Sequence, residues 1–221
     1  MSVEEQVKSH TRQVEAGEPV RYGEVCPHCK HSGEFDVHDC RSRTFRVIVA
    51  GCVKVVRSGI WRWVCLTCGG RFTDYPRFAL PHKRFVSEVV CDRSQAFLGS
   101  DQSYRASVRQ EGRELVYDDR QDEALARDGA ALSPSTVWRW VSWLGDGLQG
   151  TFRKAWRLIY QREPRSTLHR QDWSVSPAKY RSDQRRQTLQ RALQALVVRK
   201  IFQDLFGKAI FPNFATAAGW R

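Results

Sequence analysis

The sequence lacks any long hydrophobic run. No window of its 221 residues reaches the roughly 20 apolar residues that a membrane-spanning helix needs. The longest apolar-rich stretch, 193–206, is interrupted by Arg199, Lys200 and Asp204. The N-terminus, MSVEEQVKSH, is polar and contains no apolar signal-peptide core. We therefore expect a soluble cytoplasmic protein with no membrane partner.

Acidic residues are scarce in two parts of the chain. Segment 151–221 holds four acidic and fifteen basic residues, and segment 26–85 holds four acidic and eleven basic residues. The segment between them, 86–132, is mildly acidic, and the whole chain carries a formal net charge of +12. Because lysine and arginine release counterions from a phosphate backbone, this distribution favours a nucleic acid as the partner and a location at the nucleoid. We expect double-stranded DNA, and RNA or single-stranded DNA is left open. A basic surface that only aids solubility is the alternative.

Catalytic motifs are also lacking. The chain has no HExxH, no phosphate-binding loop and no paired nucleophile and base. Asp118, Asp119, Asp122 and Glu123 cluster, but they lie before and within a predicted short helix, where negative charge is favoured near the N-terminus. We expect a protein that is not an enzyme. The less favoured alternative is a nuclease or a degenerate transposase that uses an unrecognised metal site.

Cysteines, by contrast, are plentiful and grouped. Seven are present, an odd number, and a cytoplasmic protein keeps its thiols reduced. Four of them form two CxxC pairs, Cys26/Cys29 and Cys65/Cys68. Two such pairs in one short region are typical of a four-thiolate zinc ribbon, whereas a redox reading of one pair leaves the other unexplained. The sequence predicts one zinc ion on these four residues, and a site with four protein ligands is structural.

The segment between the two pairs predicts antiparallel β structure. Residues 44–50 are rich in β-branched and aromatic side chains, and 53–57 with 60–64 predict a hairpin that turns at Ser58-Gly59. Other histidines and cysteines lie nearby without ligand spacing. We expect His28, His31, His38 and Cys40 to be surface or neighbouring residues, and Cys52 and Cys91 to be small buried hydrophobic residues.

A helix-turn-helix unit is predicted in the middle of the chain. A short helix over 120–127 stops at Asp128-Gly129, and Ser133-Pro134 then opens a second helix as N-cap and first residue. In the second helix one apolar face is predicted to be buried, formed by Val137, Trp140, Val141, Leu144 and Leu148. The exposed early face offers Ser135, Thr136 and Arg139, residue types that read base edges. The alternative is an ordinary helical hairpin.

The C-terminal segment predicts two basic helices. Arg153, Lys154 and Arg157 share one side of the first, and Arg185 and Arg186 lie near the start of the second, which runs from about 184 to 206. We expect these five residues to contact DNA phosphates. The second helix is predicted to bury an apolar stripe formed by Leu189, Leu193, Leu196, Val197, Phe202 and Leu205. The last residues, AIFPNFATAAGWR, are apolar enough to pack on the body or to dock a partner.

These patterns together predict an α+β protein, with a small antiparallel zinc ribbon followed by a mainly helical region. Four segments are expected. They are a lead segment (1–25), the ribbon with its basic connector (26–84), a helix-turn-helix DNA-binding domain (85–150) and a basic helical region (151–221).

The order of motifs resembles a prokaryotic family of zinc-ribbon plus helix-turn-helix proteins related to mobile elements. The motifs are CPHC, HDCRSRTF, WRWVCLTCGGRFTDYPRFALPHKRF and SPSTVWRWVSWLG. The first part is also similar to the N-terminal zinc-binding and DNA-binding region of insertion-sequence transposases. The resemblance implies the four cysteine ligands and recognition positions at Ser135, Thr136 and Arg139. A transposase of that type would continue into a large catalytic domain with three carboxylates, and only 76 residues follow Gly145 here.

Two functions remain open from the sequence. The first is a DNA-binding accessory or targeting factor of a mobile element, or a transcriptional regulator. The second is an adaptor that docks on a transposase or another nucleoprotein complex, in transposition or defence, through its zinc ribbon and apolar tail. A second copy of the chain is a further candidate partner.

Overall fold

The computed structural model describes residues 1–99, 103–118, 131–170 and 179–210. An N-terminal sheet is followed by helices, which confirms a mixed α+β protein. The chain divides into two compact units. Among the described residues, the first comprises residues 1–89, 115–118 and 131, and the second comprises residues 90–99, 103–114, 132–170 and 179–210.

The elements are short except for one hairpin and one helix. In chain order they are α1 (Val3–Glu15), β1 (Phe35–Val49), β2 (Cys52–Cys65), β3 (Arg71–Thr73), α2 (Ser87–Leu98), α3 (Tyr104–Ser107), β4 (Arg109–Gln110), β5 (Arg113–Glu114), β6 (Val116–Tyr117), α4 (Pro134–Ser142), a π-helical turn (Trp143–Gly147), α5 (Gln149–Arg162), a 3-10 turn (Thr167–Arg170) and α6 (Arg181–Phe206).

The sheet of the first unit is built on the β1–β2 hairpin. The two strands pair antiparallel from Phe35↔Cys65 to Val49↔Cys52, with one register shift between Val37 and Asp39. β3 pairs antiparallel with the end of β2, and β6 pairs in parallel with its start. The pairing carries Cys65 to the open end of the hairpin, where the metal ligands were predicted.

The predicted turn at Ser58-Gly59 is wrong, because β2 continues through both residues. The chain turns at Ala50 and Gly51 instead, where φ is +48° and +80°. A two-residue hairpin loop with both φ values positive matches the right-handed twist of the flanking strands. Alanine seldom adopts a positive φ, and for this reason the turn is hard to see in the sequence.

Helix α1 packs on the sheet, whereas the sequence predicts only a lead segment over residues 1–25. It begins with a capping box, in which Ser2 Oγ accepts from the Glu5 N–H at 3.2 Å and the Ser2 N–H donates to Glu5 Oε2 at 2.6 Å. Val7 and His10 are buried. A Cβ at Gly59 would lie 2.3 Å from Cys40 Sγ and 2.9 Å from a Val14 methyl group. Gly59 therefore serves close packing and not a turn.

The second unit packs α4, the π-helical turn and α5 against α6. The predicted buried face of α4 is confirmed at Val137, Trp140, Val141 and Leu144, while Leu148 is only half-buried. Gly145 in the π-helical turn makes a close approach to α6. A Cβ on this residue would lie 2.3 Å from the Thr188 carbonyl oxygen of α6.

The predicted apolar stripe of α6 is only partly right. Leu196 and Phe202 are buried, but Leu193 is 44% exposed, and Leu189, Val197 and Leu205 are half-buried. The fully buried face also includes small side chains, at Thr188, Ala192 and Ala195. Small residues let helices approach closely, so they occupy the face that leucines were expected to fill. Within the described residues, no helix combines the length and apolar character needed to cross a membrane.

Candidate metal centre and basic clefts

The four predicted cysteine ligands converge at one point of the first unit. Their sulfur atoms all lie within 4.8 Å of one another, so they could hold one metal ion. Cys26 Sγ is 3.8 Å from Cys68 Sγ, and Cys29 Sγ is 3.7 Å from Cys65 Sγ. A tetrahedral ion with metal–sulfur bonds of about 2.3 Å separates its ligands by about 3.8 Å. These two separations therefore fit a tetrahedral site of zinc size.

The two CxxC turns have the same backbone hydrogen bonds. In the first, the Cys26 N–H donates to the His31 carbonyl and the Cys26 carbonyl accepts from Lys30, at 2.9 and 3.0 Å. In the second, the corresponding bonds join Cys65 to Gly70 and Gly69, at 3.0 and 2.8 Å. Equivalent residues also adopt a left-handed backbone, with φ of +65° at Lys30 and +68° at Gly69. Glycine adopts this conformation at little cost because it has no Cβ, which explains Gly69 directly after Cys68.

The backbone around the thiols favours thiolates. Burial raises the pKa of Cys65, but N–H groups of Cys68 and Thr67 and the neighbouring thiols outweigh it and lower that pKa to about 6. The Gly70 N–H lowers the pKa of Cys68, but burial and the three adjacent thiols raise it to about 12 overall. A thiolate therefore forms readily at Cys65 and is resisted at Cys68, and a cation between the two sulfur atoms would stabilise both as thiolates.

The nearby residues that were not assigned as ligands lie outside the cluster. The His28 ring bonds to the Arg71 carbonyl oxygen at 3.1 Å and packs edge-on against Phe72. Cys91 is buried as expected, whereas Cys52 is only half-buried. Within the described residues, no other group of His, Cys, Asp and Glu is compact enough to hold a metal.

A cleft of about 960 Å³ lies in the second unit between α4 and α6. Ser135 and Trp138 line it from α4, and Arg181, Arg185 and Arg191 line it from α6. The Arg185 guanidinium is 5.1 Å from the centre of the Trp138 ring. Asp146, from the π-helical turn, also lines the cleft and pairs with Arg191 at 3.3 Å. A predicted base-reading position and a predicted phosphate contact thus share one cleft.

The start of α4 is a cluster of hydroxyl groups. Ser133 Oγ lies 3.0 Å from Ser135 Oγ and 2.9 Å from Thr136 Oγ1. Arg139 folds back over this turn, donating to the Ser135 carbonyl at 3.3 Å and to Thr136 Oγ1 at 3.2 Å. Ser135 and Arg139 are exposed and Thr136 is half-buried. Pro134 occupies the first helical position as predicted, but no side-chain bond from Ser133 caps the backbone.

A second cleft of about 510 Å³ runs between α5 and α6. Arg153 and Arg157 line it together with Trp156, and Arg191 lines both clefts. The other two predicted contacts, Lys154 on α5 and Arg186 on α6, are exposed but line neither cleft. Of the five predicted phosphate contacts, three therefore face a cleft.

Comparisons with protein-family models, with curated proteins and with solved structures find no match. The relation to mobile-element proteins thus stays an expectation from the sequence motifs. Two predicted parts of the chain, the helix over 120–127 and the apolar tail after Ile210, lie outside the described residues.

Arg21 and Asp74 were missed by reasoning from sequence. The Arg21 guanidinium lies 3.6 Å from the centre of the Phe35 ring, with the rings of Trp63 and Phe72 at 5.4 and 5.1 Å. Buried Asp74 accepts from the Tyr22 N–H at 2.6 Å and lies 3.6 Å from Arg21. Burial lowers the pKa of Arg21, which Asp74 and the thiols of Cys26 and Cys65 partly offset. These two residues fasten the segment before the first CxxC to the end of the sheet.

Proposed function

We propose that this chain is a non-catalytic, zinc-stabilised protein that binds double-stranded DNA through the two clefts of its second unit. The observation that carries the proposal is the cleft between α4 and α6, lined by Ser135 and by three arginines. Arginine suits phosphate oxygens because its planar N–H groups form paired hydrogen bonds. Arg191 lines both clefts, so the arginines form one basic surface along α6.

In this proposal zinc is structural. Four thiols fill a tetrahedral set and leave no position for a water nucleophile. The ion links the segment before β1 to the end of β2, through Cys26 and Cys29 on one side and Cys65 and Cys68 on the other. The resemblance of the motifs favours an accessory or targeting factor of a mobile element, or a transcriptional regulator.

The decisive experiment is selection of bound sites from a random duplex library with the zinc-loaded full chain. We expect an enriched motif, and binding that weakens steeply with salt. Each phosphate contact contributes about −0.9 to the slope of log K against log salt concentration. Contacts by the five arginines that line the clefts would give a slope of about −4 to −5. Affinity without an enriched motif would favour an adaptor that holds DNA only by charge.

Two adjacent arginines on α6 provide a matched pair for the phosphate contacts. Arg185→Gln removes a side chain that lines the cleft, and Arg186→Gln removes the same charge from its exposed neighbour. We expect Arg185→Gln to weaken binding to all sequences and to reduce the salt slope by about 0.9, and Arg186→Gln to change both less. Equal losses of affinity and of salt slope in the two variants would contradict DNA binding in the cleft between α4 and α6. Far-ultraviolet circular dichroism checks that α6 is intact.

Arg139 tests base reading separately from affinity. Arg139→Ala should relax the selected motif at one position, at a cost of about 1–3 kcal/mol for the preferred base. The measurement is a second selection with this variant beside Arg185→Gln. If Arg139→Ala weakens binding to every sequence alike, α4 is not a recognition helix.

A further inference from the structure

A small pocket in the first unit is lined almost entirely by basic side chains. It has a volume of about 440 Å³ and lies where β1 faces the connector after β3. Hydroxyl groups of Ser42 and Thr44 also line it. The described lining includes no acidic residue, and its basic members are Arg43, Arg46, His82, Lys83 and Arg84.

The pocket is built by specific contacts that fix both of its walls. The Arg46 N–H donates to the Arg84 carbonyl at 2.9 Å, and the Val86 N–H donates to the Arg46 carbonyl at 3.2 Å. Arg43 Nη2 donates to the Lys83 carbonyl at 2.7 Å and also to the carbonyl of Leu80. These bonds hold like charges together, an arrangement that a bound anion would stabilise.

Two arginines retain N–H groups for a ligand. Arg43 uses Nη2 for the connector, and its Nε and Nη1 make no hydrogen bond in the described structure. The Arg46 guanidinium lies 5.7 Å from the Phe85 ring and 5.5 Å from the Tyr117 ring. Arg46 Nε is buried and has no hydrogen-bond partner among the described residues. A buried N–H without a partner is uncommon, and a ligand that accepts hydrogen bonds would satisfy it.

We infer that this pocket binds a phosphate group of a nucleic-acid backbone. Phosphate is the ligand that fits arginine forks, a lysine and hydroxyl donors in a site without carboxylates. The inference rests on the proposed function and adds a specific contact in the first unit, where the sequence indicated a structural metal and an excess of basic residues but no ligand-binding residue. Every nucleotide carries the same phosphate group, so we expect binding in this pocket to be independent of the base sequence.

The test uses the full zinc-loaded chain and a fluorescent random-sequence duplex, with affinity measured across a range of salt concentrations. The variant Lys83→Gln/Arg84→Gln removes two charges from the connector wall. Its matched control, Arg41→Gln/Arg77→Gln, removes two charges from exposed residues outside the pocket. We expect the pocket variant to reduce the salt slope by about 0.9 for each lost phosphate contact, and the control to reduce it less.

A second variant tests the wall of the pocket that β1 forms. Ser42→Glu places a carboxylate on β1 and should weaken duplex binding as the connector variant does. Thermal melting of each variant separates lost contacts from lost folding. If both pocket variants match the control in slope and affinity, the inference is wrong and the proposed function stands. If the wild-type chain binds no duplex at all, the proposed function fails and the inference fails with it.

Discussion

In the first unit β1 and β2 pair along their whole length and end at four cysteines, whereas in the second unit helices pack through small residues against α6. The buried polar residues differ in the same way. The first unit buries His10 and Asp74, which can carry charge, and the described part of the second buries only hydroxyl residues, Ser94, Ser107 and Thr188. Metal and pH should therefore act on the first unit, and changes of side-chain volume should act on the second.

Removal of the metal is expected to have the largest effect, because it should destabilise the first unit and leave the second unit folded. Structural zinc contributes about 10–16 kcal/mol of binding free energy in small zinc domains, so a chelator or Cys65→Ser should unfold the metal end of the sheet. We expect amides of β1 and β2 to lose protection from hydrogen exchange, while those of α5 and α6 keep it. Hydrogen exchange read by mass spectrometry, with native mass spectrometry to count bound zinc, makes the measurement.

Cys52→Ser is the matched control for metal removal. Its thiol lies at the other end of β2 and is only half-buried, so this variant should retain one zinc ion per chain and the protection of both strands. A chain that keeps β1 and β2 protected after complete zinc removal would show that the sheet, and not the metal, stabilises the first unit.

The ligand set could be predicted from sequence because each CxxC turn is local. Two intervening residues fix the separation of the sulfurs, and Gly69 supplies the left-handed backbone that follows Cys68. The hairpin turn could not be predicted in the same way. Ala50 takes a positive φ because Gly51 and the pairing of Val49 with Cys52 impose it. Local preference was overridden there by the register of a long hairpin.

Contacts between distant segments account for the other misses. The capping box of α1, from Ser2 to Glu5, was readable in the sequence, but its packing against Gly59 was not. In the sequence Gly59 looked like a turn residue, because the residues that require a glycine there, Cys40 and Val14, belong to other elements and are distant along the chain. On α6 the leucines suggested the buried stripe, while the buried face also contains small residues, of which Thr188 lies against Gly145. Periodicity predicts that a helix has a buried face, but its neighbours select which face is buried.

Gly145→Ala is expected to have the next largest effect, and in the second unit. Its Cβ would lie 2.3 Å from the Thr188 carbonyl oxygen, a backbone atom that cannot move without shifting α6. We expect a loss of about 1–3 kcal/mol in the free energy of unfolding, typical of overpacking. Gly150→Ala is the matched control, since a Cβ there meets nothing within 4 Å, and it should stabilise α5 by about 0.5–1 kcal/mol. Urea denaturation followed by circular dichroism measures both, and equal effects would contradict the close approach.

The smallest expected effect is a pH dependence that comes from His10. Its Nε2 lies 2.8 Å from the Gly59 carbonyl, which can only accept, so Nε2 carries the proton and Nδ1 accepts from the Tyr22 hydroxyl at 2.8 Å. Burial raises the pKa of Tyr22 to about 12, which keeps this hydroxyl a donor. Burial also lowers the pKa of His10 below its usual 6.5, although the Gly59 bond opposes the change. The folded state therefore contains a neutral histidine whose two nitrogens are both engaged.

Acid should destabilise the first unit through this residue. Below about pH 6.5 the unfolded chain binds a proton at His10 and the folded chain does not, so stability falls as pH decreases, by at most about 1.4 kcal/mol per pH unit, until the folded pKa is reached. Above pH 6.5 this contribution is constant. Urea unfolding between pH 8 and pH 5.5 in excess zinc measures the slope, with exposed His82→Asn as the control that keeps it. We expect His10→Asn to lower stability at every pH and to flatten the dependence of the unfolding free energy on pH. If that dependence is unchanged in His10→Asn, the acid sensitivity comes from the metal thiolates.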